Sequence, residues 1–214
     1  MVEPENPEML DADKQKAKAL KKAKQLVVKT IKNDDIDNLR KIFKSGLPID
    51  TVVRMPGMTP LMICASEGST QSYEVLMDFE PDINKTDFAG RTALHYACRA
   101  ANVEVATEIM GHDDVDVDKQ TLGGMTPLML AVESGNANMV AECLNNTCSP
   151  FAVNALGEKA QDLAKKYEYS EDVNNIYNLV TQAIEQWKEQ AEEDDLVELT
   201  LEEPSAHFEA FLYN

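Results

Sequence analysis

GRTALHYA, at residues 90–97, occurs once in that form, but its outline returns three times. GMTPLMICA runs from Gly57 to Ala65, GMTPLMLAV from Gly124 to Val132, and a worn copy, GEKAQDLAK, from Gly157 to Lys165. The glycines at 57, 90, 124 and 157 step by 33, 34 and 33 residues. A fixed period in this range decides the architecture before any single residue does, because each copy is one supersecondary unit that buries its face against its neighbours.

Within each copy the chemistry reads as helix–turn–helix. Thr59-Pro60-Leu61, Thr92-Ala93-Leu94 and Thr126-Pro127-Leu128 each open a helix. Threonine is a good N-cap, and proline suits the first helical position because its missing N–H would be unpaired there. Small residues follow (Cys64-Ala65, Ala97-Cys98, Ala131-Val132), so that first helices can stack closely. Gly68 and Gly135 allow a tight turn into a second helix, and Ala101 takes that place in the middle unit. The second helices are expected to bury Tyr73, Val75, Leu76 and Met77, then Val103, Val105, Ala106, Ile109 and Met110, then Met139, Val140, Cys143 and Leu144. PDINKTDFAG, VDVDKQTLGG and SPFAVNALGE then lead to the next glycine as hairpin-like loops rather than long strands.

On these motifs the chain resembles the ankyrin-repeat family. The unit from Gly57 to Asn84 aligns with that repeat without a gap, and the interval of 34 is met by one extra residue near Gly111–Asp114. The last unit departs most, with Lys159-Ala160-Gln161 in place of TPL, although Asp162-Leu163-Ala164 is a common ending in the family. The fold expected is an all-α ankyrin-repeat solenoid of about five helix-turn-helix units with hairpin-like loops between them. It comprises a capping unit (about 26–56), three full units (57–89, 90–123, 124–156) and a closing unit (157–187). The capping unit carries helical stripes at Ala19, Leu20, Ala23, Val27 and Ile31, then Ile36, Leu39, Ile42 and Phe43, broken by Asn33-Asp34-Asp35. The closing stripe is Val173, Ile176, Tyr177, Val180, Ile184 and Trp187.

The ends are divided as follows. Residues 1–13, acidic and Pro-containing, are read as disordered, 14–56 as a basic helix with the capping repeat, 57–187 as the repeats with their closing helix, and 188–214 as an acidic tail with an aromatic ending. The formal charge is −18, which disfavours nucleic-acid binding by the body of the protein, since that rests on Lys and Arg neutralising phosphates. The charge is uneven: residues 14–44 hold eleven Lys or Arg against three acids, and residues 189–214 hold nine acids and no Lys or Arg. No apolar run approaches the ~18 residues of a membrane-spanning helix, so no membrane partner is expected. The N-terminus lacks the apolar core of a secretory signal, and Cys64, Cys98, Cys143 and Cys148 form no CxxC pair or zinc spacing. A cytoplasmic location is expected, with a nuclear or cytoskeletal association left open.

No catalytic motif is present, and no enzyme activity, cofactor or metal is expected. Asp114, Asp116 and Asp118 begin like a calcium loop, but the pattern then requires glycine at Lys119 and glutamate at Met125. Resemblance to the family gives His95, at the TPLH position, a structural role in hydrogen bonds between neighbouring loops. It also places partners against the loop tips and the exposed side of the first helices. The positions flanking each glycine are therefore the candidates for protein binding: Met55 and Met58, Phe88 and Arg91, Leu122 and Met125, with Ala155 and Glu158 in the last unit. An apolar row of this kind marks a contact surface, and the alternatives are that these side chains fold onto neighbouring tips or that the N-terminal segment covers them. Arg91 is expected to meet a charged feature on the partner. Leu76, Asp82 and Asn84 match a spacing at which ankyrin asparagines are hydroxylated, so Asn84 is a candidate modification site, against a simpler role closing the turn.

In the tail, Leu196, Leu199, Leu201, Phe208, Phe211 and Leu212 are candidate anchors. They would serve either a linear motif docking on another protein or a fold-back onto the basic first unit. The function expected is a non-catalytic protein–protein interaction module, an adaptor or scaffold subunit, monomeric alone or within a hetero-complex. A stoichiometric inhibitor or chaperone-like cap of one partner, and a small structural subunit of a large cytoskeletal or organellar assembly, are the alternatives.

Overall fold

A computed structural model describes residues 7–166 and 171–193. Its helices form five antiparallel pairs: α1 (Pro7–Lys32) with α2 (Ile36–Lys44), α3 (Pro60–Glu67) with α4 (Thr70–Met77), α5 (Ala93–Ala100) with α6 (Val103–Met110), α7 (Pro127–Ser134) with α8 (Ala137–Asn145), and α9 (Ala160–Lys166) with α10 (Glu171–Glu193). The first helices stack as one layer, α1 on α3, α3 on α5, α5 on α7 and α7 on α9. The second helices form the other, α2 on α4, α4 on α6, α6 on α8 and α8 on α10. The fold is thus the all-α solenoid of five units that the period implied. Among the described residues the loops contain no strand beyond a single isolated bridge, Arg54 with Met58.

The inner layer is dry. Pro60–Ala65, Ala93–Cys98 and Pro127–Val132 are buried without a break, and Cys64, Ala65, Ala97, Cys98 and Ala131 are fully covered. Side chains this small let helix axes approach closely and fill the space as a solid does. The outer helices bury one stripe each, of which Met77, Val103 and Leu144 lie at the half-buried edge. Thr59 and Thr126 cap as expected, accepting from the amides of Met62 and Met129 at 3.3 Å. Gly68, Ala101 and Gly135 all take the left-handed conformation that ends the first helix, Ala101 with φ 55°. All four cysteines are free thiols with no exposed surface, and burial raises the pKa of Cys64 far above the ordinary thiol value.

His95 is the principal polar strut of the inner layer. It has no exposed surface; the Thr92 amide donates to Nδ1 at 3.1 Å, and Nε2 lies 3.1 Å from the carbonyl of Met125 in the next unit. An amide pointing at Nδ1 fixes the neutral tautomer, with the proton on Nε2 donated across the repeat boundary. Burial drives its pKa down to about 4, against the bonds to Met125 and Lys119 that favour the charged form.

The loop tips are stitched to one another by the backbone. The Phe88 amide donates to Pro56 O at 3.0 Å, Leu122 to Ala89 O at 2.9 Å, and Ala155 to Gly123 O at 2.9 Å. Each bond brings one tip across the glycine of the tip before it. At Gly124 an added Cβ would lie 2.8 Å from the amide nitrogen of Ala155, whereas at Gly135 it would meet nothing within 4 Å.

The ends differ from expectation. The first helix begins at Pro7, so residues 7–13 are helical rather than disordered. Proline is acceptable in a first turn, and the Ala-, Lys- and Gln-rich sequence that follows has high helix propensity. In α1 the packing stripe narrows to Val27 and Ile31, and Leu20 is 44% exposed. At the other end α10 continues to Glu193, past Trp187, so the boundary at 187/188 is no structural break. Ile176, Val180 and Ala183 bury against the stack, and the Trp187 ring meets Phe151 edge-on at 5.9 Å.

Two outcomes follow. Gly124→Ala and Gly135→Ala share the cost of a left-handed alanine, roughly 1–2 kcal/mol, and Gly124→Ala should cost more by the displacement of the Ala155 tip; equal urea midpoints would show that the tips do not hold one another. Because folded His95 resists protonation while the unfolded residue takes a proton near its ordinary 6.5, stability contributed by His95 falls as pH drops from 6.5 toward 4, by up to roughly 3 kcal/mol. Urea unfolding across that range should show a steeper loss for wild type than for His95→Gln.

Candidate protein-binding groove

Between the loop tips and the open edge of the inner helices lie two adjoining shallow depressions. One is lined by Met55, Met58, Ser66 and Tyr96 among others, the second by Phe88, Leu122, Met125 and Leu130 among others, and both by Arg91 and Arg99. Met55 is 70% exposed, Phe88 63% and Leu122 82%. These three sit in register, each two residues before its glycine, and form a ladder along three consecutive tips. Their side chains point outward. In the last unit the register position is Ala155, and Leu156 beside it is 80% exposed, a feature that counting back from the glycine passes over.

The residues after each glycine behave otherwise, which corrects the sequence reading. Met58 is 6% exposed and packs into the core, and Met125 is half-buried and gives its carbonyl to His95. Arg91 turns back on its own loop: its Nε lies 2.8 Å and its Nη2 2.7 Å from Asp87 Oδ2, and its guanidinium stands 4.9 Å over the Tyr96 ring. It is a structural cation rather than a charge held out for a partner.

In the first loop the Met58 amide donates to the backbone carbonyl of Arg54 at 2.8 Å, and in the other three a side chain three residues before the glycine closes the loop. There Asp87 Oδ1 accepts from the amides of Ala89 (2.8 Å) and Arg91 (2.9 Å), Thr121 Oγ1 from Met125 (3.1 Å), and Asn154 Oδ1 from Leu156 (2.9 Å) and Glu158 (3.0 Å). Asp and Asn bond their own backbone in this way wherever a turn must be closed. The closed loop draws the residue after the glycine inward, so Glu158 also returns to its loop, bonding Asn154 Nδ2 at 3.0 Å and pairing with Lys166. Burial pushes the pKa of Asp87 up, but the Arg91 guanidinium, the Tyr96 hydroxyl at 2.7 Å and two amides outweigh it and hold the carboxyl below its ordinary value.

Arg54 occupies this position in the first loop, and its side chain cannot act as an acceptor. Its exposed guanidinium, like that of Arg99 on α5, has no ion pair or hydrogen bond among the described residues. Neither arginine stood out in the sequence; the signal for Arg54 was its departure from the Asp/Thr/Asn pattern of the other three loops. Ser66 and Glu133 hold the position of Arg99 in the flanking units. Three of the chain's four arginines therefore border the groove, two of them unengaged among the described residues, in a chain of charge −18.

Asn84 is engaged at both ends of its amide. Its Nδ2 donates to Asp114 O at 2.6 Å, and the Asp116 amide donates to its Oδ1 at 2.8 Å, which joins two neighbouring turns. Within the Asp114–Asp118 stretch, Asp118 Oδ1 accepts from the Ser149 amide at 2.8 Å, so this loop too bonds to its successor. The tail anchors Leu196, Leu199, Leu201, Phe208, Phe211 and Leu212 lie outside the described residues.

An inner stack joined at its tips, with a groove along the tip side, defines a repeat protein whose exposed edge is available for contact. The chain belongs to the ankyrin-repeat family: a family model of three ankyrin-repeat copies matches residues 19–121, and one of many copies matches residues 111–164. Ankyrin repeats generally mediate protein–protein interaction, and proteins built from them are typically non-catalytic. Inversin of Danio rerio is 38% identical over 71 residues, which make up 33% of this chain and 7% of that protein. This chain thus corresponds to a small part of that relative's length. Among the described residues, no helix is long and apolar enough to cross a membrane.

Removing the carboxylate of Asp87 strands Arg91, Tyr96 and two amides together. Asp87→Ala should lower unfolding stability by about 3 kcal/mol or more, the usual cost of breaking a buried ion pair, while Asp87→Asn, which keeps the loop acceptor, loses less. Chemical denaturation at neutral pH ranks the two, and an inverted order would remove Asp87 from its role in the loop.

Proposed function

We propose that the chain is a non-catalytic adaptor or scaffold subunit that holds a protein partner along the tip ladder and the groove beneath it. The observation that carries this reading is the register of Met55, Phe88 and Leu122, three large apolar side chains held outward on consecutive tips. Solvated apolar side chains in a contiguous row mark contact surfaces, and anchors of this size contribute most when a partner covers them and excludes water. Arg54 and Arg99, without an ion pair among the described residues, add two cations to the same surface, which favours a partner with carboxylates there.

The tip side chains make few internal contacts, so they can be changed with little effect on the fold. Met55→Ser, Phe88→Ser and Leu122→Ser combined should shift the thermal midpoint by no more than a few degrees. Quantitative affinity purification from the source cells should lose the groove's partners relative to wild type. An adaptor recovers a complex of three or more components by light scattering. Identical recovery by both baits would refute the tip-ladder assignment, and a one-to-one complex that alters its target's activity would replace the adaptor with an inhibitor.

A further inference from the structure

The groove has a candidate occupant in the same chain. Residues 194–214 carry six acids and no Lys or Arg, interleaved with Leu196, Leu199, Leu201, Phe208, Phe211 and Leu212. That composition is the complement of a surface offering Arg54 and Arg99 beside Met55, Phe88 and Leu122.

Where α10 ends also matters. Lys165, near the end of α9, lies over the Tyr177 ring at 5.6 Å, and Gln161, near its start, donates to Thr181 Oγ1 at 2.9 Å. Trp187 then meets Phe151, in the segment that leads into the last loop tip. The helix therefore runs antiparallel to α9 and ends toward the edge from which the tips project. Neighbouring helices pack about 8–10 Å apart, so roughly 30 Å separates the last loop from the first. Twenty-one residues can span about 70 Å when extended, so the reach is ample.

We propose that segment 194–214 binds the groove of its own chain, its carboxylates on Arg54 and Arg99 and its leucine and phenylalanine side chains against the apolar tips. The lysines of α1 offer positive charge too, and a fold-back onto that basic unit is one of the two readings the segment's sequence allows. Arginine matches carboxylates with a planar, two-pronged donor set that lysine lacks, and the groove adds an apolar rim for the aromatic residues. Since an outside partner would share this groove, the experiment reads the segment directly and needs no partner; its failure leaves the adaptor reading standing.

The probe is a nitroxide attached at Ser205→Cys in the full chain, made selective because the four native thiols have no exposed surface. Methionine-methyl NMR supplies the reporters. At about 20 mM salt, where charges act over roughly 20 Å, the Met55 methyl signal should lose most of its intensity, while Met139 in α8 keeps its own. The loss should be reversed at about 0.5 M salt, and at low salt by Arg54→Gln with Arg99→Gln. An unaffected Met55, or a loss indifferent to both salt and the arginines, overturns the proposal, as does broadening confined to amides of α1. Mixing isotope-labelled chain without nitroxide and unlabelled chain with it separates the remaining case: broadening there means that the segment docks on a second copy.

Discussion

Each loop tip after the first is held by an amide that crosses the glycine of the tip before it, and the outer edge of the molecule depends on that contact. The bonds from Phe88, Leu122 and Ala155 to Pro56, Ala89 and Gly123 fix the spacing of the tips, and the glycines leave the room in which the next backbone can lie. A residue whose amide is spent on the previous tip, in a loop closed from within, holds its side chain outward. The outward placing of Phe88 and Leu122 is therefore a geometric product of the repeat, and the choice of methionine, phenylalanine and leucine makes the row apolar.

Charge is partitioned by the same loops. Asp87 takes Arg91 out of circulation and Asn154 with Lys166 does so for Glu158, while Arg54, lacking such a partner in its loop, is left over. A net charge of −18 describes the chain as a whole and says little about the groove, which Arg54 and Arg99 border with exposed side chains. Local surface chemistry is what a binding segment meets, and Coulomb forces beyond a Debye length contribute little at ordinary salt.

Much of the fold was legible from spacing, because helix caps and turns are local chemistry. Thr59 and Thr126 cap, and Ala101 follows Gly68 and Gly135 into a left-handed turn, since those outcomes depend on a few adjacent residues. The orientation of Met58, Arg91 and Met125 was not legible in the same way. It is set by an acceptor three residues before the glycine, the side chain of Asp87 or Thr121 for Arg91 and Met125 and the backbone carbonyl of Arg54 for Met58, together with burial against the neighbouring unit, and a row of residue types beside a glycine does not display either. Pro7 misled for a related reason: proline breaks a helix interior but fits a first turn, and the identity of the residue does not say which position it holds.

The bonds between units also set how the chain can reach this structure. Tyr73 Oη meets His112 Nε2 at 2.8 Å across 39 residues, Asn102 reaches Ala65 across 37, and His95 and Asn84 each reach their partners across 30. No such step needs more than about one repeat of chain to be closed, however many repeats are added, so the entropic cost of each closure stays nearly constant. A chain emerging from synthesis can dock each unit as soon as the next has been made, in the order of the sequence. Length then adds time in proportion to the number of units, without the slowing that distant pairings impose on sheet proteins of similar size.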